Sequence, residues 1–242
     1  MARSASTTAA IMLVAVALLV AAEAGDTNHQ FSPCGDSKIQ RRDGFSFGIA
    51  FSTNESFFSG NTQFSPCDRR LPLSSGGGAQ LAVFRPKVDE ISLLTINTTT
   101  NTKVLDAGFM VAFAGRRFAA RSPPTFVGNN SYVVTGFTLV LEFKKGTLQN
   151  FYWKTDGCSS CSGKSDFVCL NKQECAIKTS SCKTKGGSVD CSIGIQLAFS
   201  GTDKHDAVLN SWFEVSNLRQ YSLYGLYSNL KGSLTDQFNS FF

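Results

Sequence analysis

Apolar positions alternate with polar or small ones in several short runs. Phe45, Phe47, Ile49 and Phe51 share one face of residues 45–52, the two-residue period of a half-buried strand. Phe109, Val111 and Phe113 repeat the pattern. The longest signal spans residues 132–144. There Val133, Thr135, Phe137, Leu139, Leu141 and Phe143 face one way, and Val134, Gly136, Thr138, Val140, Glu142 and Lys144 the other. Lys145-Gly146 then marks a hairpin turn, because glycine reaches positive φ at little steric cost, and residues 148–154 return. Shorter strands are expected at residues 80–84, 91–96, 193–200 and 211–215. The period changes near the C-terminus. Leu223, Tyr227, Leu230, Leu234, Phe238 and Phe241 recur at helical spacings, with Gly225 and Gly232 weakening the helix they predict. About eight or nine short strands separated by turn signals predict an all-β fold, a single sandwich or barrel-like domain with a short C-terminal helix. The 21 phenylalanines fit as core-facing strand residues. No repeat or dividing linker breaks residues 25–242, which read as one domain.

The cysteines interrupt this regularity. Six of the eight, Cys158, Cys161, Cys169, Cys175, Cys182 and Cys191, crowd into residues 158–191 among Ser, Gly, Lys, Asp and Thr. A segment so poor in apolar side chains buries too little surface to hold its own shape. Disulfides are expected to staple it as an excursion hanging from the 132–154 hairpin. Cys34 and Cys67 stand apart and are expected to pair. Six cysteines allow about 15 connectivities, and sequence does not choose among them. Cys158-Ser159-Ser160-Cys161 also has the spacing of a redox pair or half a zinc site. It follows a strand rather than opening a helix, and no second such pair appears. Neither a metal nor another cofactor is expected.

The N-terminus sets the compartment. Arg3, an apolar run from Ala9 to Ala22 and the small residues Ala22 and Ala24 have the layout of a secretory signal over residues 1–24. No later stretch is apolar enough to span a membrane. Secretion is therefore expected, with no membrane partner after signal removal. Three acceptor sequons for N-linked glycan, at Asn54, Asn97 and Asn129, agree with it. The net charge of +5 is too diffuse to argue for nucleic acid.

Candidate chemistry is sparse. Only His29 and His205 are present, and both fall in polar loops, against the sequestered, oriented histidine of a Ser-His-Asp site. Asp89, Glu90, Glu142 and Glu214 are the acids a glycosidase would draw on, but no two can be placed at a catalytic separation. Gly76-Gly77-Gly78 lacks the Gly-Lys-Ser/Thr ending of a phosphate cradle. No catalytic residue is assigned. Arg116, Arg117 and Arg121 form the densest basic cluster, with Arg69 and Arg70 elsewhere in the chain. Tyr152 and Trp153 are candidate stacking side chains, and alternation lets only one side of their strand face the core.

Four blocks carry a resemblance: residues 65–71 (SPCDRRL), 81–97 (LAVFRPKVDEISLLTIN), 111–121 (VAFAGRRFAAR) and 136–154 (GFTLVLEFKKGTLQNFYWK). They resemble the plant secreted proteins known as the expp-one family, over most of residues 25–242. The resemblance implies a plant source and an extracellular address, apoplast or cell wall, and supplies no catalytic residue. The expected function is non-enzymatic binding of acidic cell-wall polysaccharide, whose carboxylates suit arginine forks, or of an extracellular protein. The alternatives are a carboxylate-dependent wall glycoside hydrolase or lyase, and a defence-type inhibitor presenting the stapled segment.

Overall fold

A computed structural model describes residues 25–71, 79–98, 103–117, 120–154, 157–161 and 167–218. The signal sequence expected at 1–24, the triple-glycine loop and the helical pattern at 223–241 lie outside the described residues.

The fold is all-β. In chain order the strands are β1 (Phe47–Ser52), β2 (Phe58–Ser59), β3 (Thr62–Gln63), β4 (Gln80–Phe84), β5 (Ser92–Ile96), β6 (Phe109–Ala114), β7 (Ala120–Arg121) and β8 (Thr125–Phe126). They continue with β9 (Tyr132–Val134), β10 (Gly136–Lys144), β11 (Thr147–Lys154), β12 (Phe167–Leu170), β13 (Glu174–Lys178), β14 (Ile193–Thr202) and β15 (Val208–Leu209). A first sheet runs β4-β1-β6-β7, with β8 also on β6; a second runs β11-β10-β14-β15, with β5 also on β14. β10 and β14 are parallel neighbours, in register from Gly136↔Gly194 to Phe143↔Gly201.

The two sheets share one core. Phe47, Ile49 and Phe51 of β1 and Met110 and Ala112 of β6 join Leu139, Leu141, Phe143, Phe151, Ile195, Leu197 and Phe199 from the second sheet. The Phe47 and Phe151 rings meet across the layers at 5.9 Å, and Phe45 stands edge-on to Phe143 at 5.1 Å. On β1 and β10 these are the faces that the alternation assigned inward; on β6 the main core takes Met110 and Ala112, and Val111 and Phe113 turn to the opposite face.

A smaller apolar cluster sits on the outer face of the first sheet: Ala50, Val111, Phe113, Phe57 and Cys67. The N-terminal arm crosses this face and is firmly pinned. Asn28 Nδ2 donates to Gly44 O at 2.7 Å, Ser46 Oγ donates to Gln30 O at 2.9 Å, and Gly115 N donates to Pro33 O at 2.8 Å. Arg85 reaches from β4 to Gln30 O and Asp26. Gly48 is required here: a β-carbon on it would fall within the Phe113 ring.

Four features differ from the sequence reading. Residues 132–144 are two strands, not one. The chain leaves the sheet of β9 at Thr135, whose carbonyl accepts from Gly194 N at 2.7 Å, and enters the second sheet as β10. Two valines in succession, Val133 and Val134, are buried at that switch, which alternation alone does not anticipate. The cysteine-rich segment does not hang free. Its β12–β13 hairpin pairs with β9, giving a third sheet of order β12-β13-β9. Residues 211–215, expected as a strand, begin the helix Ser211–Leu218. Ser211 and Val215 are buried while Phe213 is 67% exposed, a spacing of four rather than two. The outer face of β10 is also not all solvated, for Thr138 and Val140 are buried, and the helix packs against β14 beside it.

Candidate functional site

The covalent framework comes first because it decides which surface loops are neighbours. Cys34 bonds to Cys67, Cys158 to Cys169, Cys161 to Cys175, and Cys182 to Cys191, and no cysteine is free. The Cys158-x-x-Cys161 pair therefore bonds outward to β12 and β13 rather than to itself. Among the described residues no group of three or more His, Cys, Asp or Glu side chains is placed to hold a metal ion. No described helix is long and apolar enough to cross a membrane.

Most of the acids are engaged in structural work. Asp89 Oδ1 accepts from Asn210 N at 2.7 Å and Ser211 N at 2.8 Å, and Arg41 Nε lies 2.7 Å from Oδ2. Asp203 accepts from the backbone of Arg41, His205 and Ala207. Burial pushes its carboxyl up, but those three N–H donors outweigh it and hold the group below the usual carboxylate range. Asp43 takes Thr27 N and Oγ1 and Gln40 N. Glu90 lies 3.8 Å from Lys87, and Glu214 is exposed on the helix. His205, on a polar turn, has its ring 3.2 Å from Gln40 Oε1.

The arginines are arranged differently. The Asp36 carboxylate accepts from Arg116 N at 2.9 Å and Arg117 N at 3.1 Å. That clamp fixes the turn after β6 and leaves both side chains exposed, with no side-chain partner among the described residues. Asp36 is two residues from Cys34, and Arg69 is two residues from Cys67. The Cys34–Cys67 bridge, with Cα atoms 5.5 Å apart, thus ties the chain that carries Arg69 and Arg70 to the arm whose Asp36 clamps the Arg116–Arg117 turn. Sequence order concealed this connection; the expected Cys34–Cys67 pairing was the signal that points to it. Arg70 is bound back to Asp68 through both carboxylate oxygens, at 3.0 and 2.7 Å, over the Phe64 ring. That fork holds Asp68 at about 2. Arg121 belongs to β7, partly buried and paired with Phe113 of β6, so it is separate from the exposed turn.

The second polar surface lies on the outer face of the other sheet. Tyr152 points outward and is 42% exposed. Glu142 Oε2 accepts from Tyr152 OH at 2.9 Å and from Asn150 Nδ2 at 3.1 Å. The carboxylate hydrogen bond, with smaller contributions from burial and charge, raises the Tyr152 hydroxyl above its ordinary range. Phe151 and Trp153 point to the core, and Trp153 Nε1 donates to Ser122 Oγ at 2.8 Å. Trp153 is thereby withdrawn from the stacking role the sequence left open for it.

The sequons differ in setting. Asn54 opens a 3-10 turn, Asn54–Phe57, and is partly buried; Asn97 follows β5 and is exposed. Asn129 is exposed, with Oδ1 accepting from Ser131 N at 2.8 Å and Tyr132 N at 2.9 Å.

No curated protein and no solved structure matches this chain. A family profile does, over residues 6–131 and 121–240, and so spans both main sheets and the stapled hairpin. The chain belongs to the family described as uncharacterised protein DDB_G0273449.

Proposed function

We propose that the protein is a non-enzymatic extracellular binder of acidic polysaccharide, with the arginine turn as its contact. The observation that carries the reading is the Arg116–Arg117 pair. Both guanidinium groups are exposed and unengaged among the described residues, on a turn whose backbone Asp36 fixes. A fixed turn loses less entropy on binding than a free loop. Guanidinium forks match carboxylates through two parallel hydrogen bonds. The two turns linked through Asp36 and the Cys34–Cys67 bridge carry four arginines, Arg69, Arg70, Arg116 and Arg117, against two acids, Asp36 and Asp68.

Four disulfides agree with an oxidising compartment. The signal-like residues 1–24, the glycan acceptors Asn54, Asn97 and Asn129, and the resemblance to the plant expp-one proteins support a secreted glycoprotein of the apoplast or cell wall. The commitment of Asp43, Asp89 and Asp203 to backbone donors favours binding over carboxylate catalysis.

The test is binding of the glycosylated protein to immobilised polygalacturonate at about 50 and about 500 mM salt, the range over which a surface charge contact is screened. Arg116→Ala/Arg117→Ala is expected to weaken low-salt binding about tenfold or more, a loss of about 1.4 kcal/mol. Salt-insensitive binding, or an unchanged double variant, overturns the reading. Silence at both salts turns the search to an extracellular protein partner.

A further inference from the structure

We infer that the outer face of β10 and β11 is a second binding surface, for a neutral pyranose chain, built on Tyr152, Glu142 and Asn150. The inference stands apart from the arginine turn, because it uses the other sheet and a different chemistry.

The register makes the cluster. β10 and β11 are antiparallel, with Glu142 opposite Asn150 and Val140 opposite Tyr152. The pairing shifts between Glu142 and Phe143, so Gln149 is an extra residue on β11. Such a bulge turns the local strand and re-aims the side chains beside it. Asn150 and Tyr152 lie two apart on β11 and point to the same side, and both reach one oxygen, Glu142 Oε2. The ring of Tyr152 is therefore held by its own hydroxyl, and its exposed surface is presented in a fixed orientation.

The remaining valences specify the ligand. Glu142 Oε1 has no partner among the described residues and can only accept. The Asn150 amide carbonyl also accepts. The site asks for hydroxyl donors beside an apolar face, which a pyranose ring supplies: C–H bonds for the tyrosine ring and vicinal hydroxyls for the acids and amides. An anionic ligand set beside Glu142 is disfavoured, since the carboxylate would meet it with like charge at close range. The ligand is thus a neutral glycan, in contrast to the acidic one proposed for the arginine turn.

The experiment is calorimetric titration of the protein with two neutral β-1,4-linked probes, cellohexaose and xylohexaose, at about 50 and about 500 mM salt. Binding of at least one probe is expected, equal at both salts. Tyr152→Ala is expected to weaken it about tenfold or more, in line with the loss of a stacked ring. Glu142→Ala weakens it too, while Tyr152→Phe retains part of it, since the ring stays and its anchor goes. Tyr152 is exposed, so a melting temperature near wild type confirms that the variant folds; if it does not, Glu142→Ala decides. Arg116→Ala/Arg117→Ala is expected to leave neutral-probe binding unchanged, which separates this surface from the arginine turn. No heat with either probe, or binding indifferent to Tyr152→Ala and Glu142→Ala, overturns the inference while leaving the acidic-polysaccharide reading untouched.

Discussion

Asp89 occupies a left-handed backbone conformation, φ 65°, that an aspartate adopts only at some cost. Its carboxylate explains why. It accepts from Asn210 N and Ser211 N, the donors left open at the start of the Ser211–Leu218 helix, from 121 and 122 residues away. Asp89→Ala is expected to lower stability by about 1–2 kcal/mol, as loss of a helix cap does. Asp89→Asn, which keeps an acceptor, should lose less; denaturant titration of both variants checks this. Asp203 makes a related clamp with an additional pH signature. Its folded pKa is depressed by backbone donors despite burial. The stabilisation it provides is therefore complete above the unfolded value of about 3.9 and is lost as pH falls through the lower folded value. Wild type should lose stability as pH falls from about 5 toward 2, measured by chemical denaturation, more steeply than Asp203→Asn, which has no proton to take up there.

At the scale of elements, the Cys34–Cys67 bridge ties the N-terminal arm to the loop after β3, across the outer face of the first sheet. Closing a loop with a sequence separation of 33 is worth about 4 kcal/mol in the chain-entropy model. Cys34→Ser/Cys67→Ser should cost up to that amount in a melt. It should also weaken low-salt polygalacturonate binding without altering Arg116 or Arg117, because the bridge anchors the arm whose Asp36 fixes their turn. Elements of this kind were unevenly legible. Phe47, Ile49 and Phe51, and likewise Phe137, Leu139, Leu141 and Phe143, declared their faces because large apolar side chains alternate there with smaller or polar ones, even though much of the opposite face is buried too. The end of β9 did not, since a strand that changes sheets buries Val133 and Val134 in succession and looks continuous with its successor. The helix at 211–218 was missed because its start depends on Asp89, a partner no local window contains. Tyr152 was legible as a candidate, but its alliance with Glu142 and Asn150 depends on a bulge that sequence does not mark.

On the scale of the whole molecule, the two proposed contacts belong to different layers. The arginine turn extends from β6 of the first sheet, and Tyr152 lies on the outer face of the second. The turn and the strand face share no residue and belong to different sheets. One molecule can then engage an acidic chain and a neutral chain together, as a bridge rather than a clamp. Polygalacturonate should leave cellohexaose or xylohexaose affinity unchanged, and a ternary complex in co-sedimentation is the direct readout.

The parallel pairing of β10 with β14 bears on how the chain reaches this state. Parallel partners cannot be joined by a tight turn, and here the connection runs through β11 and the whole stapled segment. Gly136 must find Gly194 across that distance before the central ladder of the second sheet exists. Such non-local contacts are slow to form, because the entropy of the intervening chain is spent before any pairing is gained. The three bridges inside that connection span separations of only 11, 14 and 9 residues. Each closes a short loop, and together they reduce the conformations open to the stretch. The cysteine-rich segment is thus also a tether, whose bridges shorten the effective connection between β10 and β14.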